Sequence, residues 1–232
     1  MLRILVLLLF LLPIQTKALG EVDLIWEADT YTPPFYKGLP LWSKQSQIKF
    51  VAIENIPNKS PSTLIYRWSR DGKVIGSSSG VGQNTFTFSD SVLSLPTEIE
   101  IDVFEEEGQG SIGSASLVLR TIPSKSIVVE DNPLYGLMLN KAISGEFIIK
   151  EDESSFGAIP FFENVSARFA PAITYTWSTN TGDRRLGETV TYRAPEKGEG
   201  TASITLTTSN KKTLSEPTRN NFLIRFNKQN DF

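Results

Sequence analysis

Three runs of oxygen-bearing polar residues and two serine–lysine spacings are the residues whose types could do chemistry. The runs are Glu105-Glu106-Glu107, Glu130-Asp131-Asn132 and Glu151-Asp152-Glu153. Oxygen ligands at a domain junction can hold calcium, and Glu130, Asp131 and Asn132 fall at the expected junction. Calcium takes six to eight oxygens, and three consecutive residues of an extended chain cannot all face one ion, so solvated surface charge is the expected role. Two acids held across a cleft could hydrolyse a glycosidic bond, but no segment of the sequence marks such a cleft. Ser46-Gln47-Ile48-Lys49 and Ser209-Asn210-Lys211-Lys212 have the spacing of serine–lysine acylases. That chemistry needs a helix to bring the two side chains together, and both stretches have strand-and-turn texture.

What is missing constrains the chemistry more. The 232 residues include 0 histidines and 0 cysteines. Serine–histidine and cysteine–histidine catalysis are excluded, as are zinc, haem and iron–sulfur sites of the usual kinds, and disulfides cannot form. The expectation is a protein that is not an enzyme and has no cofactor. Hydrophobic residues at 40% and charged residues at 21% suit a globular chain rather than a disordered tail or a membrane bundle.

One stretch could bind without reacting. Thr30-Tyr31-Thr32-Pro33-Pro34-Phe35-Tyr36-Lys37-Gly38 has Trp26 before it and Trp42 after it. Its neighbouring prolines fix φ and remove two backbone donors, which favours an extended, polyproline-like path over ladder pairing. Tyr31, Phe35, Tyr36 and Trp42 are therefore the candidate ligand-binding residues, with flat faces suited to a sugar or a peptide. The competing expectation is that these aromatics cover the end of a sandwich or pack on a second domain.

The elements that would position these residues are strands. Glu98-Ile99-Glu100-Ile101-Asp102-Val103 alternates strictly, with three apolar residues on one face and three carboxylates on the other. Ser114–Thr121 and Ala202–Thr208 alternate in the same way. Ile48–Phe50, Thr85–Phe88, Thr189–Tyr192 and Asn221–Phe226 are rich in β-branched and aromatic residues. Asp71-Gly72, Gly80-Val81-Gly82, Glu107-Gly108-Gln109-Gly110 and Lys197-Gly198-Glu199-Gly200 supply turns between them. No stretch sustains a 3.6-residue period with caps, so the class is all-β.

Residues 1–20 read as a cleavable secretory signal. Arg3 gives a positive start, Ile4–Leu12 is apolar, Pro13 ends the run, and Ala18-Leu19-Gly20 offers small residues before Glu21. The apolar core falls well short of the ~20 residues needed to cross a bilayer, and no later segment is apolar enough to span. Removing Arg3 and Lys17 from the 23 basic residues leaves 21 against 26 acidic ones, a net of −5. That charge argues against nucleic acid or anionic lipid as a partner. An exported chain without cysteine points to a bacterial source. Asn58-Lys59-Ser60 and Asn164-Val165-Ser166 match the glycosylation sequon, a short pattern common by chance. Phe232 as the last residue raises an outer-membrane barrel, but Asn227–Asp231 is polar on both faces, so the last strand is expected to end near Phe226.

The remaining chain carries one plan twice. Tyr66-Arg67-Trp68-Ser69 returns as Tyr175-Thr176-Trp177-Ser178, and Pro34-Phe35-Tyr36-Lys37-Gly38 is echoed by Pro133-Leu134-Tyr135-Gly136. The first echo is 109 positions away and the second 99, so a longer segment is expected in the second copy near Glu151–Pro160. Tyr66, Trp68, Tyr175 and Trp177 are assigned to two cores. A plan repeated at ~100 residues has the size of a β-sandwich. Tyr66-x-Trp68-x-x-Asp71-Gly72-Lys73-Val74-Ile75 resembles the strand–turn–strand of immunoglobulin-like and PKD-type bacterial surface domains. In those folds the tryptophan fills the space between two sheets and Asp-Gly turns the hairpin. The second copy keeps Tyr175-x-Trp177 but has Asn180-Thr181-Gly182-Asp183 at the turn, which implies a longer hairpin. The chain, especially Trp26-Glu27-Ala28 and Thr30–Tyr36, is also similar to uncharacterised secreted proteins of small-genome candidate-phylum bacteria.

The expected organisation is a signal peptide over 1–20 and two tandem immunoglobulin-like antiparallel β-sandwiches over 21–123 and 124–232. The expected function is a non-catalytic structural or interaction module of the cell envelope, exported to the periplasm, surface or medium. Its partner would be another envelope or surface protein. The second expectation is a carbohydrate-binding or adhesin module built on the Tyr31–Trp42 segment.

Overall fold

The computed structural model describes residues 21–228 except 90, 92, 94, 196 and 197. The expected signal peptide and the last four residues lie outside the described residues.

The first sandwich contains β1 (Glu21–Ala28), β2 (Gln47–Asn55), β3 (Ile65–Arg70), β4 (Lys73–Val74), β5 (Gly80–Val81), β6 (Thr85–Ser89), β7 (Thr97–Phe104) and β8 (Gly113–Leu119). One sheet runs β1-β2-β6 and the other β4-β3-β7-β8, with β5 also on β3. All pairs are antiparallel. Period-2 alternation sends Ile48, Phe50 and Ala52 of β2 inward against Ile99, Ile101 and Val103 of β7, with Tyr66 and Trp68 of β3 completing the core. Asp71 and Gly72 both take positive φ, as the two-residue turn between β3 and β4 requires.

The second sandwich contains β9 (Lys125–Asn132), β10 (Gly136–Ile143), β11 (Gly145–Ile149), β12 (Glu153–Phe161), β13 (Ile173–Thr179), β14 (Arg184–Leu186), β15 (Thr189–Arg193), β16 (Gly198–Asn210) and β17 (Thr218–Lys228). Its sheets run β10-β9-β12-β15 and β11-β17-β16-β13-β14. Its core gathers Phe156 and Ala158 against Tyr175, Trp177, Ile204, Leu206, Phe222 and Ile224. The β13–β14 hairpin is the longer one, with Ser178 paired to Arg184.

The two copies superimpose through their ladders. Trp68 Nε1 donates to the Gln83 carbonyl and Trp177 Nε1 to the Gly187 carbonyl, each at 2.8 Å and each three residues before a core residue of β6 or β15. Pairing outward from these points sets Phe50 beside Phe156, Trp26 beside Glu130 and Leu117 beside Phe222. In both copies the first, second and fifth core strands share one sheet, and the third, sixth and seventh share the other. That is the immunoglobulin-like order, so the chain is two tandem immunoglobulin-like sandwiches. The extra residues of the second copy are split between the connections before and after β12 rather than gathered at Glu151–Pro160. The Pro34–Tyr36 and Pro133–Tyr135 echo joins the same connection of each sandwich but not residues in register.

Candidate functional site

The connection between β1 and β2, residues 29–46, leaves the first sandwich and docks on the second. Two backbone bonds clamp it: Tyr31 N–H to the Glu163 carbonyl at 2.8 Å, and Phe162 N–H to the Tyr31 carbonyl at 2.7 Å. Tyr31 packs against the second core, and burial, partly offset by the Arg168 charge, pushes its hydroxyl pKa up. Phe35 meets Phe161 edge-on at 6.1 Å, and Tyr36 meets Phe161 at 5.8 Å and Phe162 at 5.6 Å. T-shaped contacts of this kind place a positive ring edge on a negative face and are worth about 0.5–1.5 kcal/mol each beyond burial.

Trp42 turns back into the first core. It is 1% exposed, lies edge-on to Phe88 at 5.4 Å and donates Nε1–H to the Ser46 carbonyl. The four candidate binding residues are therefore not one exposed plane: three are applied to the second sandwich and the fourth is interior. Ser46 is also buried, its hydroxyl bonded to the Ser43 carbonyl at 2.8 Å, while Lys49 lies on the opposite, exposed side of β2. The serine–lysine spacing brings no pair together here.

The connection closes the seam at its other end too. Ile122 N–H donates to the Trp42 carbonyl, and Ser43 bridges Ile122 in parallel. Gln45 then reaches across: its carbonyl accepts from Asn164 Nδ2 at 2.7 Å, and its side-chain Oε1 accepts from Leu214 N–H at 2.5 Å. Gln45 and Phe162 both have φ of 60°. A bulky residue in that region is strained and persists only where its surroundings hold it. Both such positions belong to the seam. Asn164, the second sequon asparagine, has its amide engaged there.

Along this seam runs a cleft of about 700 Å³, lined by residues 43–45, 122–127 and 213–220 together with Glu163 and Asn164. Glu163 is 4% exposed. Burial raises its carboxyl pKa, and hydrogen bonds from Ser124 and Asn210 oppose the shift. On the same side of the second sandwich, Ser126 Oγ donates to Thr208 Oγ1 and Thr218 Oγ1 donates to Ser126 Oγ. Sequence reasoning missed Gln45, Phe161, Phe162 and Glu163. The pair of adjacent phenylalanines was a visible signal, but nothing in it said that it would face another domain.

No protein-family model matches the chain, and neither does any curated protein sequence. Among solved structures it is similar to three N-terminal domains of the Highly Immunogenic Outer Capsid protein (Hoc) of bacteriophage RB49. The TM-score is 0.45 and the identity 13%, over 89% of this chain and 59% of that one. It is also similar to Sidekick-1 immunoglobulin domains 1–4, with a TM-score of 0.26 and 10% identity over 86% of this chain and 74% of that one. The chain thus spans about 59% of the Hoc fragment. The fold assignment rests on the strand order above rather than on either likeness.

The acidic runs lie apart from the seam. Glu130, Asp131 and Asn132 end β9, whose other end is at the seam, so the expected junction position is corrected by the length of a strand. Asn132 Nδ2 donates to Glu130 Oε1, and Asn132 Oδ1 accepts from the Leu134 and Tyr135 N–H groups. Glu105 pairs with Lys59, and Glu153 with Arg193 at 3.1 Å. Among the described residues no three of these acids stand close enough to share a metal ion. Among them too, no helix is long and apolar enough to cross a membrane.

Proposed function

We propose that this chain is an exported, non-catalytic structural or interaction module of the cell envelope, and that its two sandwiches work as one rigid unit. The observation that carries the reading is the docking of the Tyr31–Tyr36 stretch on Phe161 and Phe162. Rings committed to a neighbouring domain fix an angle between two surfaces, which serves a protein that presents those surfaces to a partner. The strain at Gln45 and Phe162 supports the same reading, because a joint meant to flex has no use for it. The absence of histidine and cysteine leaves little for catalysis to use.

Residual dipolar couplings test the rigidity. One alignment tensor should fit both sandwiches of the native chain, and the Tyr31→Ala/Tyr36→Ala variant should need two. Two tensors for the native chain would sink the reading. Crosslinking in the producing cells tests the interaction itself, with a protein partner as the expected product.

A further inference from the structure

We propose that Leu134 and Tyr135, at the tip of the β9–β10 hairpin, are a docking knob for the loop end of a β-sandwich in another polypeptide. The inference rests on the interaction reading above and names the site and the partner chemistry.

The molecule contains one instance of the contact already. In the first sandwich the connection after the first strand carries Tyr31, Phe35 and Tyr36 onto the loop end of the next sandwich. In the second sandwich the connection after the first strand leaves from the matching end, away from the seam. There it carries Leu134 and Tyr135, which are 84% and 77% exposed. Adjacent large apolar residues this exposed are a feature to explain rather than ordinary surface.

The tip is also built to hold its shape. Asn132 Oδ1 accepts from the N–H groups of both residues, at 3.0 and 3.3 Å, and Gly136 supplies the positive φ that returns the chain. Leu137 then lies directly on Gly157 of β12, where an added Cβ would sit 2.4 Å from Leu137 Cδ2. Groups fixed before binding lose less entropy when they bind.

The seam also defines the occupant. What receives Phe35 and Tyr36 is a pair of adjacent rings, Phe161 and Phe162, at the end of a second strand. Register places Asn55 and Ile56 at those positions in the first sandwich, so a second copy offers no free aromatic pair there, and its own pair is already covered. The partner is therefore a different polypeptide whose sandwich loops present aromatic rings.

The test places a photoreactive phenylalanine at position 135 of the full chain in the cells that make it. A control probe goes at exposed Val74 of the first sandwich, with others on the remaining faces. The expected adduct maps to an aromatic loop of a β-sandwich in another polypeptide. Leu134→Ser/Tyr135→Ser should lower co-purification of that polypeptide about tenfold or more, with the melting temperature unchanged. An adduct to a second copy, to a surface other than sandwich loops, or no adduct at position 135 would overturn the knob. If probes on other faces capture a protein while position 135 does not, the interaction reading stands and the knob alone falls. If no face captures one, both fall.

Discussion

The two sandwiches carry the same connection at the same end and use it differently. In the second, the stretch after the hairpin forms β11, which pairs in parallel with β17. Carrying the register across, Gly38–Trp42 of the first copy corresponds to Gly145–Ile149, with Pro40 standing where Phe147 does. Proline brings no N–H to a ladder. The first copy accordingly keeps a single parallel bridge, Ser43 to Ile122, and the residues before it are free to cross to the other sandwich. The lesson is that one lost donor, with two prolines upstream, turns an internal strand into a joint.

The largest effect that could break the equivalence of the copies lies at the indoles. Each fills a separate core and donates to a matching carbonyl, so Trp68→Ala and Trp177→Ala should each cost about 3–5 kcal/mol, confined to the sandwich that holds it. Domain-resolved hydrogen exchange reads this, and equal loss of protection in both sandwiches from either change would refute two separate cores.

Next comes the joint. A double-mutant cycle between Tyr36→Ala and Phe162→Ala should give a coupling of about 1 kcal/mol in chemical denaturation. No coupling would mean that the rings touch without holding.

The two core tyrosines differ in what their hydroxyls meet. Tyr175 donates its hydroxyl to the Arg168 carbonyl at 2.9 Å, whereas the Tyr66 hydroxyl and both Glu54 carboxylate oxygens are buried with no aligned partner. Burial, and then the neighbouring Glu54 carboxylate, push the Tyr66 pKa up. Tyr175→Phe should cost about 1 kcal/mol, while Tyr66→Phe should be neutral or slightly stabilising. Equal costs by thermal melting would show that Tyr66 has a partner after all.

The smallest expected effect concerns Glu163. Its carboxyl pKa is raised in the folded chain, so the folded state holds the proton to higher pH than the unfolded state does. The stability this contributes is full below the unfolded pKa and is lost as pH rises through the raised one. Glu163→Gln should therefore gain stability relative to the native chain on going from about pH 4 to neutrality. A constant difference across that range would remove Glu163 as the cause.

Much of the fold was legible because strand alternation is a local signal. Glu98–Val103 shows which face is buried before any partner is known, and Trp68 and Trp177 mark the two cores by their repeated context. The strain at Gln45 and Phe162 was not legible, since neither residue type announces positive φ. That the side-chain oxygen of Asn132 accepts from the Leu134 and Tyr135 N–H groups was not legible either. Glu54 was not singled out at all, although it continues the inward-facing row of Ile48, Phe50 and Ala52.

By itself the sequence determined an all-β chain in two copies, free of thiol and imidazole chemistry, because alternation, turn residues and composition act over a few positions. It took the packed chain to show that Phe35 and Tyr36 face Phe161 and Phe162 rather than solvent, and that Tyr31 packs on the second core. The same packing leaves Leu134 and Tyr135, in the matching connection, exposed. The physical reason is that an aromatic ring gains as much by burying its face on a ligand as on a neighbouring domain. Which surface lies within reach is set by strands more than a hundred residues apart.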